Sequence, residues 1–114
     1  MKEVGILDYG VGNIGAIANM LKHIGYRPVV VHKELSRFDK LIFPGVGAFD
    51  TAMKQLDSRG MIPELSEYTS RGKHLLGICL GMQLLFEASE EGVLPGLGLI
   101  KGKIKRLKVE GLKV

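Results

Sequence analysis

The sequence has little cysteine, no tryptophan and few other aromatic residues. The single cysteine, Cys79, excludes an internal disulfide and a zinc site built from several cysteines. Aromatic residues make up 6% of the 114 residues. The basic segment 101–114 contains none, which argues against stacking on nucleic acid bases. With 46% apolar residues, the chain can still bury a core without help from a metal.

Long apolar runs are also missing. No run approaches the roughly 20 residues that a membrane span requires. The start of the sequence, MKEVGILDYG, lacks the apolar core and cleavage pattern of a signal peptide. We therefore expect a cytoplasmic protein with no membrane partner.

The net charge of +4 is concentrated in one segment. Residues 101–114 hold six basic side chains and one acidic side chain, whereas the first 100 residues are nearly balanced. A basic strand could bind phosphate, but a solvated edge or a partner-facing strand is the better interpretation. We expect no nucleic acid partner.

Apolar runs alternate with helical periods along the chain, and we find no internal repeat or linker. The predicted strands cover residues 4–8, 27–31, 40–43 and 74–78. The predicted helices cover residues 13–24, 50–57, 63–71 and 79–89, and one or two further strands are expected in the basic tail. Strands that are apolar on both faces predict an α/β fold with a parallel sheet flanked by helices on both sides.

Three glycines, Gly10, Gly12 and Gly15, follow the first strand in the spacing G-x-G-x-x-G. This spacing is typical of dinucleotide-binding turns, and Glu34, 19 residues beyond Gly15, could bind a ribose. However, the Asp8 carboxylate would lie close to the bound phosphates. The glycines are better explained by a tight turn that lets backbone approach a neighbouring loop or a partner. A dinucleotide site and a non-enzymatic interaction module remain the alternatives.

Cys79 lies between a buried strand and a helix, in the pentapeptide Gly77-Ile78-Cys79-Leu80-Gly81. A nucleophile on such a turn has strained backbone geometry, and small residues two before and two after it allow neighbouring segments to pack closely. A helix N-terminus also favours the thiolate form. The pattern therefore predicts a nucleophilic cysteine.

A nucleophile that attacks a carbonyl needs hydrogen-bond donors for the oxyanion that develops. One candidate donor is the backbone N–H of Leu80. The other should come from the segment Pro44-Gly45-Val46-Gly47, which leaves the third strand at the same edge of the sheet. Gly45 and Gly47 let the peptide between them present an amide without a side-chain clash.

No histidine can be identified as the general base. His74 is on the same strand as Cys79, and five extended residues span roughly 16 Å, too far for a nucleophile and its base. His23 is better explained as a charge at the end of the first helix. His32 follows the second strand at the correct edge, but no acidic partner in a catalytic arrangement can be identified.

Three motifs together carry a resemblance to a known family. They are DYGVGN at residues 8–13, PGVGAF at residues 44–49 and GICLGMQLLFEASEE at residues 77–91. The chain resembles the class I glutamine amidotransferases over its whole length, and the first motif is most similar to the branch that serves histidine biosynthesis. The resemblance implies a flavodoxin-like fold and no cofactor or metal.

The resemblance also implies roles for individual residues. Cys79 would attack the side-chain amide of glutamine, form a thioester and release ammonia. Leu80 and the Gly45-Val46 peptide would supply the oxyanion hole, and Gly47, Leu80 and Gln83 would hold the glutamine.

A partner is implied as well, namely a (βα)8-barrel cyclase subunit that receives the ammonia through a channel. The turn after the first strand would lie near this interface, with the residues Asp8, Tyr9, Gly10, Gly12 and Asn13. Because the PGVG segment would also lie near the interface, the partner could switch the oxyanion hole.

The chain departs from the family pattern in one respect. The catalytic histidine and glutamate of the family belong to a later segment of the F-H-P-E type, which this sequence does not contain. We therefore expect residues 1–114 to be the N-terminal portion of a single, incomplete amidotransferase domain with little glutaminase activity alone.

Overall fold

The structure is a computed structural model that describes residues 2–107. Within this range the chain forms six strands, four α-helices and one short 3-10 turn. In chain order they are β1 Glu3–Leu7, α1 Ile14–His23, β2 Arg27–Val31, the 3-10 turn Leu35–Arg37, β3 Lys40–Phe43, α2 Phe49–Ser58, α3 Met61–Ser70, β4 His74–Gly77, α4 Leu80–Leu84, β5 Phe86–Ser89 and β6 Ile100–Ile104. No helix in the described range is long and apolar enough to cross a membrane.

The first four strands form one parallel sheet with the order β2-β1-β3-β4. This is the order of a flavodoxin-like fold, so the predicted fold class is confirmed. The chain moves outward from β1 to β2, and then in the opposite direction from β3 to β4. Because parallel crossovers are right-handed, this reversal places α1 on one face of the sheet and α2 and α3 on the other.

Each face of the sheet has its own apolar core. The face that carries α1 buries Val4, Ile6, Leu21 and Ile42. The opposite face carries α2 and α3 and buries the larger cluster, including Leu7, Leu41, Phe43, Ala52, Leu56 and Leu65. Helices therefore cover both faces, as the apolar strands predict.

The strand β4 is an edge of this sheet in the described part of the chain. Its side chain Leu76 is 57% exposed. An open apolar cavity lies beside it on the α1 face, with Val4, Leu21 and Ile42 among its lining residues. The sheet is consequently well covered at β1 and β3 but poorly covered at β4.

The helix predicted over residues 79–89 is wrong beyond Leu84, where α4 ends. Residues 86–89 instead form β5, which pairs in parallel with β6. The physical reason is long-range pairing: the backbone N–H groups of Gly96, Gly98 and Leu99 donate to carbonyl oxygens of residues 85–87. Met82, in the part of the predicted helix that does form, is exposed.

The basic strand β6 lies beside acidic side chains. The Glu87 carboxylate accepts a hydrogen bond from the Gly102 N–H at 2.9 Å. The Glu91 carboxylate accepts from Arg106 Nε at 3.0 Å, and this contact holds the pKa of Glu91 below its usual value. One of the strands expected in the tail is thus confirmed. The remainder of that prediction, residues 108–114, lies outside the described residues.

Asp50 joins α2 to the loop between β5 and β6. Its carboxylate accepts hydrogen bonds from the N–H groups of Val93 at 3.0 Å and Leu94 at 2.9 Å. These two bonds, the Val93 bond first, hold the pKa of Asp50 below its usual value. A side chain at Gly92 would overlap the carboxylate, because an added Cβ meets Asp50 Oδ1.

Candidate active site

Three connections meet at the carboxyl edge of the sheet, where the ligands of open α/β folds bind. We call them the β1 turn (residues 8–13), the PGVG loop (residues 44–47) and the cysteine elbow (residues 77–81). Gly12 lies against the Pro44 ring, since an added Cβ would be 3.1 Å from it. The Leu80 N–H donates to the Gly45 carbonyl oxygen at 3.2 Å. The three connections therefore form one packed unit.

Cys79 is an exposed residue with strained backbone geometry. Its φ is 54° and its ψ is −120°, a conformation that a residue with a Cβ rarely adopts. It immediately precedes α4, and its carbonyl oxygen accepts hydrogen bonds from the N–H groups of Met82 and Gln83. The structure thus has the sharp strand-to-helix turn that the G-x-C-x-G spacing predicts, with strain located at the cysteine itself.

The two flanking glycines of the elbow are needed for space. A Cβ added to Gly77 would be 2.7 Å from the Met82 Cα atom. A Cβ added to Gly81 would overlap the Phe43 carbonyl oxygen. Neither glycine has a positive φ. Their role is to let backbone segments touch, which holds Cys79 rigidly at the edge of the sheet.

The PGVG loop packs directly on the elbow. A Cβ on Gly45 would be 2.8 Å from both the Gly81 nitrogen and the Tyr9 hydroxyl. In this arrangement the Leu80 N–H, one of the two expected oxyanion donors, is already accepted by the Gly45 carbonyl. The Gly45 carbonyl oxygen, and not the Val46 N–H on the other side of the same trans peptide, therefore faces the Leu80 N–H.

The residues expected to hold glutamine lie on the PGVG loop, the cysteine elbow and α4. Leu80 is the first residue of α4 and has a buried side chain. Gln83 is half-buried and lies one helical turn after Cys79, with its N–H 3.3 Å from the Cys79 carbonyl oxygen. Gly47 is exposed in the PGVG loop and has a φ of 99°. The elbow thus brings Leu80 and Gln83 next to Cys79.

The β1 turn is held by a carboxylate. Asp8 accepts hydrogen bonds from the Gly10 N–H and from His32 Nε2, both at 3.1 Å. The Gly10 bond and then the His32 bond hold the pKa of Asp8 below its usual value. The first N–H of the glycine-rich turn, that of Gly10, therefore already donates to a carboxylate. This arrangement does not favour the dinucleotide alternative.

Tyr9 is the buried member of the β1 turn. Its side chain is 0% exposed, and its hydroxyl donates to the Pro44 carbonyl oxygen at 2.6 Å. Burial raises the pKa of Tyr9 well above its usual value. Its side chain does not reach a surface that a partner could touch, whereas Gly10 and Asn13 are exposed. The alternation after Leu7 places Tyr9 on the same face as Leu7, and this signal could have located it in the core.

The three histidines lie in different places. His74 begins β4 and Cys79 follows the other end of that strand, while His23 is the last residue of α1. His32 contacts Asp8. Within residues 2–107, no group of three or more His, Cys, Asp or Glu side chains could hold a metal ion. The site therefore brings an exposed cysteine next to the PGVG loop, without an identified base among the described histidines.

Such a site, at the carboxyl edge of a flavodoxin-like sheet, suits acyl transfer through a cysteine. Residues 5–113 match the family model described as Glutamine amidotransferase class-I. The chain therefore belongs to the class I glutamine amidotransferases, which confirms the resemblance of its motifs.

Curated relatives are similar over nearly the whole chain. The chain is 47% identical over 109 residues to imidazole glycerol phosphate synthase subunit HisH 2 of Parasynechococcus marenigrum, which covers 94% of the chain and 51% of that relative. It is 48% identical over 107 residues to a HisH subunit of Prochlorococcus marinus, covering 92% and 50%. The HisH subunit of Nostoc punctiforme is 44% identical over 112 residues, covering 96% and 53%. The chain thus spans about half the length of these relatives.

Proposed function

We propose that this chain carries the nucleophile of a glutaminase subunit of imidazole glycerol phosphate synthase, which supplies ammonia for histidine biosynthesis. The observation that carries the proposal is the strained, exposed Cys79 at a strand-to-helix turn. Family membership and the names of the relatives support the substrate glutamine. We also propose a cytoplasmic location, for which the supporting observation is the cysteine content.

In the proposed reaction, Cys79 Sγ bonds to the carboxamide carbon of glutamine. The carbon–nitrogen bond breaks, the nitrogen takes up the thiol proton, and ammonia leaves. Water then hydrolyses the thioester to glutamate and restores the thiol. The Leu80 and Val46 N–H groups would stabilise the oxyanion, and each donor of this kind contributes about 10²–10³-fold in rate. Leu80, Gly47 and Gln83 would hold the substrate.

The Gly45 carbonyl suggests how such a reaction could be controlled. It accepts the Leu80 N–H and thereby occupies half of the proposed oxyanion hole. We propose that a (βα)8-barrel cyclase subunit contacts the exposed part of the β1 turn and favours rotation of the Gly45-Val46 peptide. The residues of this proposed interface are Asp8, Gly10, Gly12 and Asn13, with Tyr9 packed behind them.

We further propose that residues 1–114 are the N-terminal portion of a single amidotransferase domain. The support is the length of the relatives, of which the chain spans about half, and the open face beside β4. The chain contains the proposed nucleophile but no identified base, because no contact between a histidine and Cys79 is seen in the described residues: His32 contacts Asp8, and His74 begins β4 at its far end. We therefore expect little glutamine turnover from the chain alone.

The nucleophile is tested by mass spectrometry after incubation with an electrophilic diazo-ketone analogue of glutamine. We expect one adduct, on Cys79, which an excess of glutamine suppresses. The Cys79→Ala variant is the matched control and should give no adduct. Equal labelling with and without glutamine, on a folded chain, would show a merely accessible thiol and would contradict the proposal.

The partner is tested by the same labelling with and without the barrel cyclase subunit of one of the relatives named above. We expect the limiting rate of labelling to rise when the cyclase is present, because the Gly45-Val46 peptide rotates more often. Iodoacetamide, which needs no oxyanion hole, should label Cys79 at the same rate in both cases. If the cyclase binds and the analogue's rate is unchanged, the switching proposal is wrong.

A further inference from the structure

We propose that Tyr9 is a positioning residue that couples the β1 turn to the PGVG loop through the hydrogen bond between its hydroxyl and the Pro44 carbonyl. The catalytic part of this inference rests on the proposed function. The anchoring of the PGVG loop by Tyr9 does not depend on it.

The hydroxyl of Tyr9 fixes one peptide next to the one that must move. Two successive carbonyl groups of the PGVG loop are held by different connections. The Pro44 carbonyl accepts from Tyr9 at 2.6 Å, and the Gly45 carbonyl accepts from the Leu80 N–H at 3.2 Å. With the Pro44-Gly45 peptide anchored, rotation is confined to the Gly45-Val46 peptide, which carries the proposed oxyanion donor.

The Tyr9 ring makes the anchor rigid. The side chain is 0% exposed, and its ring packs on Phe43 with the centroids 5.4 Å apart. Phe43 is the last residue of β3, so the ring is fixed to the strand from which the PGVG loop starts. The hydroxyl therefore has little freedom of its own, and its position follows that of the Tyr9 backbone.

The backbone of Tyr9 belongs to the exposed turn. It lies between Asp8, which is paired with His32, and Gly10, which is exposed. Gly12 adds a second contact, against the Pro44 ring. A displacement of the β1 turn at its surface is consequently transmitted to the Pro44-Gly45 peptide by two contacts. Of these, the hydrogen bond of the Tyr9 hydroxyl acts in a defined direction, on the Pro44 carbonyl oxygen.

Tyr68 provides a matched control within the same chain. It is also buried, at 2% exposure, and its hydroxyl also donates to a backbone carbonyl, that of Phe38, at 2.9 Å. Phe38 precedes β3, so this bond lies at the opposite edge of the sheet from Cys79. Tyr68→Phe removes the same kind of bond as Tyr9→Phe without touching the PGVG loop.

The first experiment measures hydrogen exchange of the Leu80 amide by NMR in the 114-residue chain. In Tyr9→Phe the loop loses its anchor, so we expect the Leu80 amide to exchange about fivefold faster, relative to core amides. In Tyr68→Phe it should stay within about twofold of the original chain. An unchanged Leu80 amide in folded Tyr9→Phe overturns the inference, whatever the chain catalyses.

The second experiment measures the labelling of Cys79 by the diazo-ketone analogue as a function of its concentration. For Tyr9→Phe we expect the limiting rate to fall about tenfold. Without the anchor on the Pro44-Gly45 peptide, the Val46 N–H is no longer held where it can donate to the oxyanion. The half-saturating concentration and the rate with iodoacetamide should stay near those of Tyr68→Phe. Equal limiting rates in the two variants contradict the inference.

The two readouts separate this inference from the proposed function. Absence of glutamine-protected labelling in the unmodified chain would defeat the proposed function and the catalytic role of Tyr9, while the Leu80 exchange still decides the anchoring role. If Tyr9→Phe does not fold, fluorotyrosine at position 9 replaces it, because it keeps the ring and strengthens the donor. Leu80 exchange should then be slower, and an unchanged rate would count against the anchor.

Discussion

The turns after β1 and β4 leave the same edge of the sheet and both contain glycines, but these glycines meet different needs. In the β1 turn, Gly10 and Gly12 adopt φ values of 85° and 134°, so the glycines take up the unusual backbone geometry. In the cysteine elbow the unusual φ belongs to Cys79, and the glycines only provide space. The comparison teaches that strain is relieved where the chain merely turns and is retained where a reactive side chain must be presented.

The largest effect is expected from Gly81→Ala, which tests the role of space in the elbow. The added Cβ would overlap the Phe43 carbonyl oxygen, and backbone cannot move aside as a flexible side chain can. We expect the free energy of unfolding to fall by about 3 kcal/mol, measured by urea denaturation.

Gly15→Ala is the control for this substitution. Gly15 follows the β1 turn in α1, and nothing lies within 4 Å of an added Cβ. It should be neutral or gain up to about 1 kcal/mol. Similar losses from both substitutions would contradict the distinction between the glycines.

A smaller effect is expected from Gly12→Ala, which tests the role of backbone geometry in the β1 turn. The residue has a positive φ, and its Cβ would press on the Pro44 ring. We expect a loss of about 2 kcal/mol in urea. Gly47 also has a positive φ, but nothing lies within 4 Å of an added Cβ, so Gly47→Ala should lose only about 1 kcal/mol. A Gly12→Ala variant as stable as the original chain would mean that the turn relaxes freely.

The strain at Cys79 can be measured by comparing Cys79→Gly with Cys79→Ala. Both remove the thiol, but only glycine relieves the φ of 54°. After allowance for the greater freedom of glycine in the unfolded chain, we expect Cys79→Gly to be more stable by about 1 kcal/mol. Thermal and urea unfolding would measure the difference. If the alanine variant is the more stable one after the same allowance, Cys79 carries no strain.

The smallest effect is a pH dependence, which we expect in the β1 turn and not in the cysteine elbow, because a carboxylate holds only the β1 turn. The folded pKa of Asp8 lies below its unfolded value, so ionised Asp8 stabilises the β1 turn above about pH 4, and this contribution is lost as the pH falls through the folded pKa. His32 and Arg59 are the charged groups that act on it. We expect the protection of the Gly10 amide against hydrogen exchange to fall on acidification to about pH 3.

Asp8→Asn should remove this pH dependence. Protection of the Met82 amide in the elbow, whose partner is the Cys79 carbonyl, should not follow the same titration. If the Gly10 amide behaves identically in both proteins, the carboxylate does not hold the turn.

Local sequence patterns were sufficient for the sheet. The predicted bounds of β2 and β3 coincide with those observed, because short apolar runs bounded by glycine, proline or polar residues leave few alternatives. The elbow could also be predicted, because the two glycines that allow its close packing lie within two residues of Cys79 in the sequence.

The remaining features depend on contacts between distant residues. The residues that follow Leu84 were expected to continue the helix, and pairing with β6 made Phe86–Ser89 a strand instead. The bond from Tyr9 to Pro44 joins residues 35 positions apart. The orientation of the Gly45-Val46 peptide is set by Leu80, and no periodicity predicts a peptide orientation.

The Asp50 carboxylate also makes the residues tolerated at positions 50 and 92 depend on each other. A side chain at position 92 meets that carboxylate, and the amides of Val93 and Leu94 need it. A side chain at position 92 therefore requires the Asp50 carboxylate to move aside or to be replaced, and either change takes the acceptor away from two amides. The pair Asp50 and Gly92 is thus expected to change together or not at all.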